Sequence, residues 1–380
     1  MEQEFYKDLK IGILGGGQLG RMLIQSSIDF NLQICVLDPD EHAPCRFAAK
    51  EFTQGSLTDF QDVYNFGKGK DLITIEIENV NVDALEKLEQ EGVKVFPQPS
   101  VIRIIQDKRL QKQFYKKHQI PTADFLLVEN KEQIAENISF FPAFQKLGKS
   151  GYDGRGVQRL SEAKDVDKAL EGEGLLEKMI DFEKEISVIV ARNSKGEVTS
   201  YPVVEMVFHP EHNLVEYLFA PAEISKTIEE SARKIALKVI NELQMVGLLA
   251  VEMFITKQGE ILVNEVAPRP HNSGHHTIKA NFTSQYEQHL RAILNLPLGS
   301  SDSFVPSALV NLLGEEGYEG VAKYEGIDEI LREEGVYLHL YGKKYTKPFR
   351  KMGHVTILDK NIQSLKAKAE LVKKTLKVIA

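Results

Sequence analysis

At 380 residues the chain is too long for one ordinary core and suits two or three domains. Its 47 basic and 55 acidic side chains leave a formal net charge of −8, which argues against a surface that grips nucleic acid throughout, though not against a local basic pocket. Two cysteines, Cys35 and Cys45, with no Cys-x-x-Cys pair argue against a disulfide framework or structural zinc and fit a reducing cytosol.

The start, MEQEFYKDLKIGILGG, has no basic segment followed by a long apolar stretch, so no signal peptide is expected. No run of about 18 apolar residues marks a membrane span, and a cytoplasmic enzyme is the expectation. Residues 10–14 (KIGIL), 33–37 (QICVL) and 71–75 (DLITI) are apolar runs separated by helical patterns, which predicts a parallel sheet. Gly15-Gly16-Gly17-Gln18-Leu19-Gly20 fits G-x-G-x-x-G, and Asp38 ends the next strand. Read alone, this suggests a dinucleotide site in which helix N-terminal N–H groups hold a phosphate or other anion. A tight strand-to-helix turn that needs glycine would look the same. The unit closes near residues 96–100 (FPQPS), and a polar helix is predicted over 101–118.

Residues 140–300 read as an α+β domain. A strand at Ala143–Leu147 leads into KSGYDGRGV, and further strands are predicted at 185–192 and 198–208. Ile228, Ala232, Ile235, Val239, Ile240 and Leu243 share one face of a helix predicted over 226–244. Lys146, at the end of its strand, could reach nucleotide phosphates as a point charge. The three glycines of Gly151-Tyr152-Asp153-Gly154-Arg155-Gly156 would let the backbone close over a ligand, or merely form a hairpin turn. Glu177-Lys178-Met179-Ile180, ahead of Glu185, could offer backbone groups to an adenine edge while the glutamates hold ribose hydroxyls. An ordinary charged strand end fits the same residues.

The most informative stretch is LLAVEMFITKQGEILVNEVAPRPHNSGH, residues 248–275. Gln258-Gly259 looks like a two-residue hairpin turn. Counting outward pairs Lys257 with Glu260, and so Glu252 with Glu265. Two carboxylates facing each other across a ladder repel unless a cation sits between them. Magnesium on nucleotide phosphates is the natural cation, and a bulge could turn Asn264 inward as a further ligand. A solvated acidic face or a one-residue slip is the alternative.

A small third unit follows Gly299-Ser300-Ser301, with strands near 305–313, 336–341 and 353–358. Lys343, Lys344, Lys347, Arg350, Lys351 and His354 fall within twelve residues there. In an acidic chain such a cluster suits a compact dianion such as a ribose 5-phosphate, although a solvated basic turn has the same pattern. Leu365, Ala369, Val372, Leu376 and Ile379 recur at helical spacing, predicting an amphipathic tail helix docked on the body or on a neighbouring chain.

In order, GGGQLGRM, EIEN (76–79), Lys146 with GYDGRG, EKMI, VEMF with VNEVAPRPHNSGH, and YGK with RKMGH resemble the ATP-grasp superfamily. Within it they resemble the 5-(carboxyamino)imidazole ribonucleotide synthases of purine biosynthesis, from about residue 10 to about residue 358. RPHNSGH together with RKMGH is the specific part. The resemblance implies a multidomain α/β and α+β protein: a Rossmann-like pre-ATP-grasp domain (1–100), an ATP-grasp domain (101–300) and a small β-rich C-terminal domain (301–380). It implies a homodimeric ligase that uses ATP, magnesium and bicarbonate to carboxylate 5-aminoimidazole ribonucleotide through carboxyphosphate, with no nucleic acid or membrane partner.

Carried over residue by residue, the resemblance implies that ATP meets Lys108, Lys146, Gly151, Tyr152, Asp153, Gly154, Arg155, Gly156, Val157, Glu177, Ile180, Glu185, Asn264 and Glu265. Magnesium should meet Glu252 and Glu265. The ribonucleotide should meet Glu78, Tyr152, Asp153, Arg155, Arg269, His271, Asn272, Ser273, Lys343 and Arg350. His271, Arg155 and Lys343 are the candidate catalytic residues. His271, with a reference pKa near neutral, either transfers a proton or only positions. Three departures stand out. The position of Lys108 is often arginine in the family, and Arg109 adjoins it. The stretch EMVFHPEHNL is long and leaves both His209 and His212 as candidates for a nucleotide contact. The tail beyond Asp359 matches no family motif. Rival readings are an NAD-dependent dehydrogenase, another ATP-grasp ligase with a phosphorylated acceptor, and a nucleotide-sensing protein without turnover.

Overall fold

The computed structural model describes residues 9–149, 156–208 and 215–380. Its first sheet is parallel and five-stranded, in the order Glu51–Gln54, Ile34–Asp38, Ile11–Leu14, Leu72–Ile75, Lys94–Val95. The three inner strands are almost wholly buried, as expected when helices cover both faces, and that is why they read as unbroken apolar runs. The two edge strands are not legible in this way. One is polar and the other is two residues long.

The helix predicted over 101–118 is two helices, Pro99–Gln106 and Lys108–Lys117. Asp107 leaves helical geometry between them (φ −118, ψ 109), and its carboxylate accepts the Arg109 N–H at 2.9 Å, capping the second helix. Lys108 thus opens a new helix, and its backbone N–H donates to Gly148 C=O at 2.8 Å.

A four-stranded antiparallel sheet runs Phe125–Val128, Gly174–Lys178, Ala143–Leu147, Val157–Leu160. The largest sheet among the described residues has nine strands. Its path is Ile261–Ala267, Gly247–Thr256, Phe182–Arg192, Val204–Phe208, Val215–Ala220, Ser307–Leu313, Lys351–Leu358, Val336–Leu340, with Val198–Ser200 paired to Phe182–Arg192. The strand predicted over 198–208 is therefore two pieces, interrupted around Pro202, which has no N–H for a ladder. The last three strands of the path continue the central sheet, joined to it where Tyr217 pairs with Val310.

Helix Lys226–Glu242 starts at Ser225, whose hydroxyl accepts the Ile228 N–H. It buries Ala232, Ala236, Val239 and Ile240 against Ile186, Val188 and Val251 of the large sheet. The tail helix, Ile362–Thr375, docks Leu365, Ala369 and Val372 onto the chain's own strands Ser307–Leu313 and Lys351–Leu358. It stops before Ile379, which the helical spacing had included. Lys377–Ile379 instead pairs with Lys323–Glu325, where a ladder satisfies its backbone groups. Among the described residues no helix is long and apolar enough to cross a membrane.

Candidate active site

The hairpin Gly247–Thr256 and Ile261–Ala267 does place Glu252 opposite Glu265. The route differs from the one expected. The turn has three residues, 257–259: Thr256 N–H donates to Glu260 C=O at 2.9 Å, and Gly259 adopts φ +81. That shifts the ladder by one, so Met253 pairs with Val263. Asn264 is then an unpaired bulge residue, and the bulge shifts the register back.

Ser187 pairs with Glu252 on the other side, so Glu185, two residues away, shares the same sheet face. Three carboxylates thus converge. Burial, then Glu265, pushes Glu185 up to about 8. Burial, then Glu265 and Glu185, holds Glu252 well above the usual carboxylate range, with Lys351 and Arg269 opposing. This surplus of negative charge suits a hard divalent cation ligated by Glu252, Glu265 and the bulged Asn264. Among the described residues no group of three or more His, Cys, Asp or Glu could hold a metal alone, so other ligands would come from phosphate and water.

His271 is anchored by its backbone: its N–H donates to Gln285 Oε1 and its C=O accepts from Gln285 Nε2, both at 2.8 Å. Ser273 N–H donates to His271 Nδ1 at 3.3 Å, so Nδ1 is an acceptor and the ring proton sits on Nε2. That N–H faces Glu252 Oε1 at 3.2 Å. Ser273 Oγ lies 2.9 Å from Nδ1 and 2.8 Å from Ser187 Oγ. Burial, then the charges of Arg269 and Lys351, lowers His271 to about 3. A ring held so far below its reference value is a neutral donor at physiological pH, which favours the positioning role of the two left open.

On the nucleotide side, Lys146 Nζ lies 2.5 Å from Glu177 Oε1 and 3.3 Å from Asn264 Oδ1. Glu177 is buried, with its other oxygen ion-paired to Lys112. Its carboxylate is thus not free to hold ribose hydroxyls, which corrects that expectation. Lys108 Nζ lies 3.3 Å from Glu265 Oε2, whereas Arg109 is tied to Asp107 and Glu173, so Lys108 is the one facing the carboxylates. Val157 pairs with Lys146, and Gly156 C=O accepts the Leu147 N–H at 2.9 Å. Ile180 is part-buried just past the strand Gly174–Lys178. Gly151, Tyr152, Asp153, Gly154, Arg155, His209 and His212 lie outside the described residues.

On the acceptor side, Arg269 grips Glu78 with two bonds, Nε–Oε2 at 2.6 Å and Nη2–Oε1 at 3.2 Å. Burial alone would raise Glu78, but Arg269 holds it below the usual range. Lys343 Nζ donates to Lys351 C=O at 2.8 Å, and burial, then Arg350, lowers it to about 8. Arg350 Nη1 donates to Tyr345 C=O at 2.9 Å. Asn272 Oδ1 is buried with no hydrogen-bond partner among the described residues. His354 does not belong with the basic cluster. It is fully buried, stacked on His339 at 4.5 Å between ring centroids and 3.0 Å from the Tyr341 hydroxyl.

Sequence reasoning missed three features here: Glu76, Asp38 as a partner of the turn, and Lys112. Gly16 N–H donates to Asp38 Oδ2 at 2.6 Å. Gly17 and Gly20 N–H donate to the two oxygens of Glu76, each at 2.7 Å. A Cβ on Gly15 or Gly17 would collide with Glu76. The anion at this helix N-terminus is the chain's own carboxylate, which leaves those N–H groups unavailable to a dinucleotide. NADH is accordingly expected to give no fluorescence change and no thermal protection; either response would refute this.

Three family models match in order: the ribonucleotide synthetase preATP-grasp domain at residues 9–106, the ATP-grasp domain at 113–286 and the phosphoribosylaminoimidazole carboxylase C-terminal domain at 307–368. The N5-carboxyaminoimidazole ribonucleotide synthase of Bacillus subtilis (strain 168) is 37% identical over 364 residues, covering 94% of this chain and 93% of its own. The chloroplastic phosphoribosylaminoimidazole carboxylase of Vigna aconitifolia is 38% identical over 374 residues, which cover 95% of this chain but only 66% of that longer protein. The N5-carboxyaminoimidazole ribonucleotide synthetase structure from Thermotoga maritima superposes with a TM-score of 0.90 at 45% identity, covering 98% of this chain and 99% of that one. The synthase from Aspergillus clavatus, solved with ADP and 5-aminoimidazole ribonucleotide, gives 0.88 at 32% identity, covering 97% and 98%. The chain belongs to the N5-carboxyaminoimidazole ribonucleotide synthase family of ATP-grasp ligases.

Proposed function

We infer that the chain couples ATP cleavage to carboxylation of the exocyclic amine of 5-aminoimidazole ribonucleotide, using bicarbonate, in purine biosynthesis. The observation that carries this is the opposed Glu252 and Glu265, with Lys108 and Lys146 on one side and Arg269 close enough for its charge to act on Glu252.

Bicarbonate oxygen attacks the γ-phosphorus of ATP, the bond to the β-phosphate oxygen breaks, and carboxyphosphate and ADP form. The amine then attacks the carboxyl carbon, phosphate leaves, and the amine loses a proton. Magnesium, held by Glu252 and Glu265, would spread the charge of the transferring phosphoryl group. Lys146 and Lys108 neutralise phosphate oxygens. Arg269, braced by Glu78, holds the anionic intermediate. His271 donates from Nε2 to Glu252 and keeps that carboxylate oriented, a positioning role. Lys343 and Arg350 hold the ribonucleotide phosphate. The family resemblance adds a homodimer and a cytoplasmic location to this reading, and a solution mass of two chains is the expected sizing result.

The test is ADP release with and without 5-aminoimidazole ribonucleotide and bicarbonate. Release that ignores the ribonucleotide would overturn the reading. Arg350→Ala should raise the KM for ribonucleotide about 10- to 100-fold, the worth of a charged hydrogen bond, and leave the KM for ATP nearly unchanged. Equal losses for both substrates would argue against the phosphate assignment.

A further inference from the structure

We propose that Lys112 is a positioning residue of the nucleotide site, sharing Glu177 with Lys146 so that Lys146 keeps its charge and its aim. The proposal rests on the nucleotide site described above.

Lys112 is 3% exposed, and lysine is rarely buried this deeply without a partner. It lies one helical turn after Lys108 on helix Lys108–Lys117, so the two ammonium groups leave the same face. Lys108 reaches Glu265. Lys112 reaches Glu177 and also donates to Thr122 Oγ1. Thr122 passes the contact on, its hydroxyl donating to Val263 C=O at 2.7 Å. Thr122 and Val263 also form a parallel bridge, and Val263 directly precedes the bulged Asn264. One buried ammonium therefore ties together the helix, the four-stranded sheet through Glu177, and the hairpin that carries Asn264 and Glu265.

Charge balance gives the tie its purpose. Glu177 carries one negative charge between two cations, Lys112 on one oxygen and Lys146 on the other. Burial would raise its pKa, but Lys146 and Lys112 together hold it below the usual range, so the carboxylate stays ionised. The trio carries a net positive charge in a nearly dry place, and an anionic phosphate beside Lys146 would satisfy it. Without Lys112, Glu177 would pair with Lys146 one to one and cancel the charge meant for the nucleotide. Its carboxylate would also be free to swing, taking Lys146 with it.

The experiment measures ADP binding by calorimetry and the KM of each substrate in Lys112→Met, in Lys112→Met/Glu177→Gln, and in Thr122→Val. Lys112→Met should weaken ADP binding about tenfold or more, the worth of a charged hydrogen bond, with the ribonucleotide KM within about twofold. Removing the Glu177 charge as well should recover part of the ADP affinity, because Lys146 is no longer cancelled. Thr122→Val keeps every charge and should give a smaller loss with the same selectivity for ADP. Unchanged ADP affinity in Lys112→Met, or equal losses for both substrates, would overturn the proposal. If Lys112→Met does not fold, the double variant and Thr122→Val decide, and no selective ADP defect in either overturns it. Should wild-type protein bind ADP yet show no ribonucleotide-stimulated turnover, the function inferred above fails while these binding results still test Lys112.

Discussion

Glu265→Gln is expected to lower ribonucleotide-dependent ADP release on the order of 10²- to 10³-fold, a loss comparable to that of one preorganised transition-state contact. The substitution keeps volume and one acceptor oxygen but removes a charge. Glu252 loses the neighbour that, after burial, raises it most, and Lys108 loses its ion-pair partner. A magnesium titration separates two causes. If Glu265 holds the cation, the variant should need more magnesium for half-maximal rate; if it only braces Lys108, the requirement should not move. Undiminished turnover would sink the metal assignment.

Acidification from pH 6.5 towards 4 is expected to unfold the protein. His275, His276, His289 and His354 are at most 2% exposed. Burial is the leading cause that pushes His276, His289 and His339 to about 4, His271 to about 3, and His275 and His354 well below the ordinary value. The folded value thus lies under the unfolded value of about 6.5. The unfolded chain takes up these protons first, so the stability they represent is whole above pH 6.5 and is lost as pH falls towards 4. Each histidine is worth about 1.4 kcal/mol per pH unit in that window. Glu185, Glu252, Glu76 and Asp38 act the other way, because their folded values are raised and they hold protons the unfolded chain releases. The six histidine shifts are large, whereas among these carboxylates only Glu185 and Glu252 are held far above the ordinary range, so the net result of acidification is a loss. A total stability of about 5–15 kcal/mol leaves little margin for it. Denaturant midpoints at pH 7, 6 and 5 would check this, and a midpoint that does not fall would refute it. Bound nucleotide and magnesium should steepen the loss by keeping Glu252 and Glu185 ionised.

The parallel core was legible because burial on both faces writes a continuous apolar run, as in IGIL and LITI. The edge strand EFTQ was not, because its stability comes from pairing with the strand ICVLD and not from its own side chains. Asp107 carried a readable capping signal, yet the helical pattern runs through it and hid the break. At the site, the Glu252 and Glu265 pair was right in outcome through two offsets that cancel. A bulge at Asn264 was one of the open options, but the alternation of residue types fixes neither it nor the extra turn residue. Glu177 read equally as a ribose contact or a charged strand end, and its partner Lys112, on a helix distant in sequence, could not be seen from the residue pattern. For His271 the sequence left proton transfer and positioning both open, because the burial that lowers its pKa is not written in the residue type. Resemblance supplied the acceptor, which residue chemistry alone carries no further than an anionic, phosphorylated compound.

The nine-stranded sheet has a consequence for how acceptors are sized. Glu252 and Lys351 sit five strand steps apart along it, roughly 24 Å if the sheet were flat. Yet the charge of Lys351 acts on both Glu252 and His271, so the sheet must curl back on itself like a caliper. The jaw opening is then a property of backbone curvature. Bulges between Phe182 and Lys184, between Val207 and Phe208, and between Leu312 and Leu313 lie along the arc and increase local bend. Deleting one bulge residue is therefore expected to change the jaw opening through the backbone.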